Sequence, residues 1–133
     1  MNDEKFLPTV AAAVMLAAAV MLAAAGLTIL RAATVATKGY VIAAITVTDA
    51  EAYKQYAASV SPIVAKFGGK YLVRGGQTVA EEGEPPGGRI VLIEFDSLAA
   101  ARSFEDSKDY QAVAPLRRKA ARSRVFLVEG VAQ

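Results

Sequence analysis

Apolar positions along this chain form two kinds of pattern, namely short runs typical of strands and stripes at helical spacing. Residues 40–48, YVIAAITVT, and residues 89–95, RIVLIEF, are rich in β-branched side chains and almost continuously apolar. Such runs are typical of central strands that are buried on both faces. Residues 70–74 and residues 123–129 predict two further strands. In the first of these, alternation is expected to place Lys70, Leu72 and Arg74 on one face.

Helical periodicity separates these strands. Asp49 predicts the N-cap of the first helix, because its short side chain can accept from the free N–H groups of the first turn. One stripe at spacings of three and four is then formed by Tyr53, Tyr56, Ala57, Val60, Val64 and Phe67. A second helical segment is predicted to be broken in two, over residues 98–106 and residues 108–121, each after a capping serine.

The resulting order, β-α-β-β-α-β, predicts an α+β fold of the ferredoxin-like type. Numbered along the chain, the predicted strands form a four-stranded antiparallel sheet in the order fourth, first, third, second, with helices on one face. Because the first and third strands are apolar on both faces, the uncovered face would expose a large apolar patch. We therefore expect a homodimer in which two sheets pack face to face as a dimeric α/β barrel.

The N-terminal part contains a long apolar run. Residues 9–30 carry no charge, and as a helix they span about 33 Å at about 1.5 Å per residue, enough for a bilayer core. This pattern predicts a hydrophobic helix over residues 1–31, a linker over residues 32–38 and a folded domain over residues 39–133. The domain is thus expected to be membrane-anchored through residues 9–30.

Two alternatives to an anchor remain open. The small residues at 23–25 fit the cleavage site of a secretory signal, which would make the domain exported. A signal peptide usually begins with positive charges, however, and this chain has Asp3 and Glu4 there. A misassigned start codon is the other alternative. If the run is an anchor, Arg31 and Lys38 on its C-terminal side favour a cytoplasmic domain.

The amino-acid composition limits which partners and catalytic groups the protein can use. The net charge of +2 is too small to indicate a nucleic-acid partner. The chain has no Cys and no His, so any catalysis would depend on carboxylates, Tyr, Lys or Arg. No metal-ligand constellation is recognisable, and no cofactor is predicted.

Four segments together resemble one known family. They are KGYVIAAITVTDAEAYKQYAA at residues 38–58, FGGKYLVRGG at residues 67–76, RIVLIEFDSLAAARSF at residues 89–104 and SKDYQAVAPLRRKAARSRVFLVEG at residues 107–130. In order and spacing they are similar to the domain-of-unknown-function 1330 family, over residues 38–131. The resemblance implies a dimeric α/β barrel, related to antibiotic-biosynthesis monooxygenases. It does not imply a reaction, because fold does not determine function.

Arg74 and Glu94 are the first candidate site residues. They lie inside apolar runs on strands that are neighbours in the predicted sheet, so we expect them on one face. A guanidinium beside a carboxylate, within a barrel that excludes water, would form a site for a small polar ligand. The alternative is a purely structural ion pair or a dimer-interface bridge, since an unpaired buried charge is costly.

Tyrosines supply further candidates. The hydroxyl of Tyr53, Tyr56 or Tyr110 can donate to a bound carbonyl, and Tyr110 lies in the SKDYQA run that resembles the family's most recognisable helical segment. The alternative is that these tyrosines are core residues. Arg117 and Arg124 are anion-binding candidates near a pocket mouth, but solvation at the surface is the favoured interpretation.

Three functions follow from these candidates. The main hypothesis is a barrel domain that binds a small polar or aromatic molecule, with ligand-binding residues Arg74, Glu94, Tyr53 and Tyr110. An enzymatic alternative is a cofactor-independent oxygenase or isomerase that uses Glu94, Tyr110 and Arg74. The third hypothesis is a structural or interaction protein whose barrel is filled by side chains.

Overall fold

The computed structural model describes residues 36–132. Its elements are β1 (Gly39–Val47), α1 (Ala50–Lys66), β2 (Lys70–Arg74), β3 (Arg89–Phe95), α2 (Leu98–Asp106), α3 (Lys108–Ala120) and β4 (Ala121–Glu129). These residues form a four-stranded antiparallel sheet in the order β2-β3-β1-β4. The predicted ferredoxin-like α+β fold is confirmed, and the last strand begins two residues earlier than predicted.

The predicted N-terminal helix at residues 1–31 lies outside the described residues, and so does most of the linker at residues 32–38. Within residues 36–132, none of the helices is both long enough and apolar enough to cross a membrane. Membrane attachment through residues 9–30 therefore stays a prediction.

Capping side chains start each helix where the sequence predicts. The Asp49 carboxylate accepts from the Ala52 N–H at 3.1 Å. The Ser97 hydroxyl accepts from the Ala100 N–H at 3.0 Å. Ser107, between α2 and α3, accepts from the Tyr110 N–H at 3.1 Å, which allows α3 to start in a new direction.

The helices cover one face of the sheet. Strand alternation directs Val41, Ala43, Ile45, Val91, Ile93 and Phe95 toward them, and all six are buried. The predicted stripe of α1 supplies Tyr53, Tyr56, Val60 and Val64 to the same core. From α2 and α3 come Phe104 and Tyr110, whose ring centroids lie 4.7 Å apart. Phe104 also stacks on Phe95 at 5.3 Å.

The other face of the sheet is not covered by the described chain. It carries Ile42 and Leu92 at its centre, and at its edge Phe126 and Val128, which are 52% and 43% exposed. The expectation of one uncovered apolar face therefore holds within residues 36–132.

A β-bulge interrupts the regular pairing of β2 with β3. Tyr71 lies opposite Ile93, but the register shifts after it, and Arg74 lies opposite Val91. The extra residue is Leu72, which does not take a regular place in the ladder. Arg74 consequently lies on the helix-covered face together with Tyr71. The expectation that Lys70, Leu72 and Arg74 share one face was wrong, because strict alternation fails at a bulge.

Phe104 tests the core most directly, because it is 1% exposed and its ring packs on two other aromatic rings. We expect Phe104→Ala to lower the free energy of unfolding by about 3–5 kcal/mol. Urea unfolding followed by circular dichroism measures this. The control is Val79→Ala in an exposed loop, expected within about 0.5 kcal/mol of wild type. Equal effects of the two substitutions would contradict the packing described.

Candidate functional site

A cavity of about 40 Å³ lies between the helices and the covered face of the sheet. Its walls are apolar side chains of β1, β3 and α1, such as Val41, Ala43 and Val60. Its polar lining consists of Glu105 together with the arginines Arg74, Arg89 and Arg117 and the tyrosines Tyr53, Tyr56, Tyr71 and Tyr110. We call this group the arginine–tyrosine pocket.

Arg117 is the most deeply buried cation of the pocket, with 9% of its surface exposed. It belongs to the last turn of α3 and lies two turns after Tyr110, on the same buried face of the helix. Its Nη2 donates to the Tyr110 hydroxyl at 3.4 Å. Its guanidinium carbon lies 6.0 Å from the ring centroid of Tyr56. The Arg117 Nε is buried and has no hydrogen-bond partner among residues 36–132.

Arg89 enters the same pocket from the start of β3. Its guanidinium carbon lies 5.3 Å from the ring centroid of Tyr53. Its Nε is likewise buried without a hydrogen-bond partner in the described part of the chain. Gly75 permits this placement, because a Cβ there would lie 2.6 Å from Arg89 Nη2, and its φ of +69° suits glycine.

Arg74 is placed differently, at the exposed mouth of the pocket. Its Nη2 donates to Ser61 Oγ at 2.6 Å and to the Ala57 carbonyl at 3.4 Å. Its guanidinium also lies over the Tyr71 ring, 4.3 Å from the centroid. Unlike Arg117, Arg74 therefore has polar partners on α1 that hold its side chain.

Burial shifts several pKa values in the pocket. It raises the pKa of Tyr53 and of Tyr56, so both hydroxyls stay protonated at neutral pH and can donate. Burial disfavours the charge on Arg117, but the hydroxyls of Tyr110 and Tyr56 outweigh this and raise its pKa above the usual value. The arginine thus stays charged in a largely buried position.

Three of the four predicted ligand-binding residues come together here. Arg74, Tyr53 and Tyr110 line the pocket. Glu94 does not, because its side chain lies on the uncovered face, where it accepts from the Tyr40 hydroxyl at 3.3 Å. The predicted pairing of Arg74 with Glu94 was wrong. The bulge at Leu72 turns Arg74 to the opposite face of the sheet.

The pocket also contains Arg89 and Glu105, which were not among the predicted site residues, and Arg117, which was an anion-binding candidate. Arg89 shares strand parity with Val91 and Ile93, a signal that it faces the helices. Arg117 was expected at the solvated surface, and its burial corrects that expectation. Its helical spacing from Tyr110 was the usable signal. Glu105 lies four residues after Ala101, which is buried on α2, so helical spacing was the usable signal for it as well.

The sequence profile of DUF1330, a domain of unknown function, matches residues 38–131. The chain belongs to this family. This confirms the resemblance seen in the sequence, over the same residues. No curated protein matches the sequence significantly.

Solved structures share the fold of this DUF1330 domain. A protein of unknown function from Rhodopseudomonas palustris, RPA0582, is 20% identical, with a TM-score of 0.57 over 80% of this chain and 92% of that one. SnoaB from Streptomyces nogalater, a cofactor-independent oxygenase, is 14% identical, with a TM-score of 0.50 over 74% of this chain and 96% of that one. At these identities the likeness shows the fold alone.

Glu105 gives a pH test of the pocket of this DUF1330 domain. Burial raises its pKa, assisted by Asp106, while Arg117 and Arg118 lower it less strongly. The folded state therefore holds this proton more tightly than the unfolded state. Stability should fall as pH rises from the unfolded pKa, about 4.3, through the folded value. Glu105→Gln should remove this loss. The variant should therefore have a higher free energy of unfolding than wild type at pH 7, and the difference should vanish near pH 4.

Urea unfolding at several pH values measures this effect. Glu82→Gln, in an exposed loop, is the matched control and should follow the wild-type profile. Parallel profiles for wild type and Glu105→Gln across the range would show that the Glu105 carboxyl is not buried as described.

Proposed function

We propose that this DUF1330 domain binds a small organic molecule in the arginine–tyrosine pocket. One observation carries the proposal, namely that buried guanidinium groups and tyrosine hydroxyls converge on one cavity between helices and sheet. Cavities with apolar walls and a few convergent polar groups are the usual form of a small-molecule site. The proposal retains Arg74, Tyr53 and Tyr110 as ligand-binding residues and replaces Glu94 by Arg89 and Arg117.

The cavity volume limits what can bind. At about 40 Å³ it is far smaller than the roughly 300–1,000 Å³ of sites for drug-sized ligands. The ligand is therefore either a molecule of a few heavy atoms or a larger one that inserts one end. Arg74 and Tyr71 at the mouth would contact the remainder of a larger ligand.

A second candidate function is cofactor-independent oxygenation or isomerisation. The fold is shared with SnoaB, and among residues 36–132 the pocket lining includes one carboxyl group, Glu105, beside tyrosine hydroxyls. A carboxylate with a raised pKa is a suitable base for removing a proton from a bound substrate. This candidate differs from simple binding because it requires that bound molecules are converted.

A cavity-filling substitution tests the binding function. Ala43 is 6% exposed and lines the cavity, so Ala43→Leu should fill it. We expect saturation-transfer NMR with a library of small fragments to detect binding to wild type, and Ala43→Leu to weaken it at least tenfold. Ala112→Leu, on the exposed side of α3, should bind like wild type. Conversion of a fragment in the same samples would favour the enzymatic candidate.

Two results would contradict the binding function. The first is that no fragment binds the wild type, which would favour the structural hypothesis of a filled interior. The second is that fragments bind Ala43→Leu as well as they bind wild type, which would locate binding elsewhere. Circular dichroism of both variants confirms that each is folded.

We further propose that two copies pair through their uncovered sheet faces. Phe126 and Val128 are exposed there beside Ile42 and Leu92, and contiguous apolar surface of this kind is uncommon on monomers. A second copy offers the same apolar surface, so a twofold arrangement buries both faces at once. Glu94 and Tyr40 would then lie in the interface rather than in the ligand site.

Phe126→Glu tests the pairing. A charge within a buried apolar interface lacks a partner, so the dissociation constant of the dimer should rise at least tenfold. Light scattering coupled to size-exclusion chromatography measures the molar mass. Leu116→Glu, a similarly large exposed residue on α3, is the control and should leave the dimer intact. A monomeric wild type would refute the proposal, and so would an unaffected Phe126→Glu dimer.

A further inference from the structure

We infer that the ligand of the arginine–tyrosine pocket is a small organic acid, whose carboxylate binds at Arg117 beside Tyr110. The inference rests on the proposed binding function and names the chemical class of its ligand. It follows from the charge balance of the pocket, from its free donors and from its volume.

The charges of the pocket are not balanced by the described residues. Three guanidinium groups line it, and Glu105 is the one carboxyl group among the lining residues of the described chain. The ion pairs within residues 36–132 are Lys38–Asp96, Lys54–Glu51 and Lys66–Asp109, and none involves a pocket arginine. Because buried charges in proteins are normally paired, a bound anion is the partner that the pocket is suited to accept.

Free hydrogen-bond donors locate the anion. Arg117 uses Nη2 for Tyr110, and its Nε–H remains buried and unpaired among residues 36–132. Arg89 presents a second buried Nε–H without a partner in the described chain. Arg74 is less suited to be the main anchor, because it is exposed at the mouth and its Nη2 already donates to Ser61 and Ala57.

A carboxylate suits these donors in chemistry and size. It accepts two charge-assisted hydrogen bonds at once, and guanidinium groups bind it in this planar manner. The adjacent Val41, Val60 and Val91 would contact a short hydrocarbon chain rather than solvent. A phosphate dianion has no such apolar part, and its removal from water into a cavity of about 40 Å³ would cost more.

Paired probes of equal shape test the inference on the full-length protein. Propionate and propionamide differ by one charge and have the same number of heavy atoms. The readout is the Nε–H signals of Arg117 and Arg89 in ¹H–¹⁵N spectra, at constant ionic strength set with sodium chloride. We expect propionate to shift both signals saturably, with a dissociation constant roughly tenfold or more below that of propionamide. Inorganic phosphate should bind more weakly than propionate.

Two substitutions assign the effect to Arg117, with the Arg89 Nε–H signal as reporter. Arg117→Gln removes the charge and should abolish the propionate shift. Arg117→Lys keeps the charge but lacks the Nε–H group. It should weaken propionate binding at least tenfold while preserving the fold. Arg102→Gln, an exposed arginine of α2, makes the same charge change outside the pocket and should bind like wild type.

The outcomes separate this inference from the proposed function. If propionate and propionamide shift the pocket signals equally, the pocket binds small molecules, but the inference that its ligand is an acid is wrong. If phosphate binds better than propionate, the ligand class is also wrong. If propionate binds unchanged to both Arg117 variants, Arg117 is not its anchor. If no probe shifts these signals and the fragment library gives no binding either, the proposed function itself fails.

Discussion

The packing of α1, α2 and α3 against one face of the sheet is the constraint on which the other features depend. It leaves Phe95, Phe104 and Val64 only 1% exposed, and it separates two surfaces of different chemistry. Because side chains alternate along a strand, each residue of β1 and β3 belongs either to the cavity side or to the open side. One sheet thereby provides an enclosed polar pocket on one face and an apolar docking surface on the other.

Burial of Arg117 is the feature that a stable core does not explain. Apolar side chains of similar volume in place of a buried ion are often neutral or stabilising, so a buried guanidinium is weak evidence for a stabilising role. Tyr56 and Tyr110 surround it with hydroxyl groups and aromatic rings, which keep it charged without neutralising it. Such an arrangement can accept an anion at Arg117, whereas Arg74 is exposed and already donates to Ser61 and Ala57.

The sequence predicts the fold more completely than the site. Apolar runs and capping residues at Asp49, Ser97 and Ser107 are local signals, and the structure confirms each of them. The pairing of Arg74 with Glu94 failed because a bulge is a property of two strands together and is not visible in β2 alone. Arg117 was misjudged because a run of basic residues at a helix end usually lies in solvent. Its depth is set by the tertiary packing of α3.

A crystal structure of the full-length protein, purified from cells without added ligand, tests the central claim most directly. The account predicts electron density for a small acid within hydrogen-bond distance of Arg117 Nε, beside the Tyr110 hydroxyl. It would be contradicted by a pocket filled by side chains, with the Arg117 guanidinium paired to a carboxylate of the protein itself.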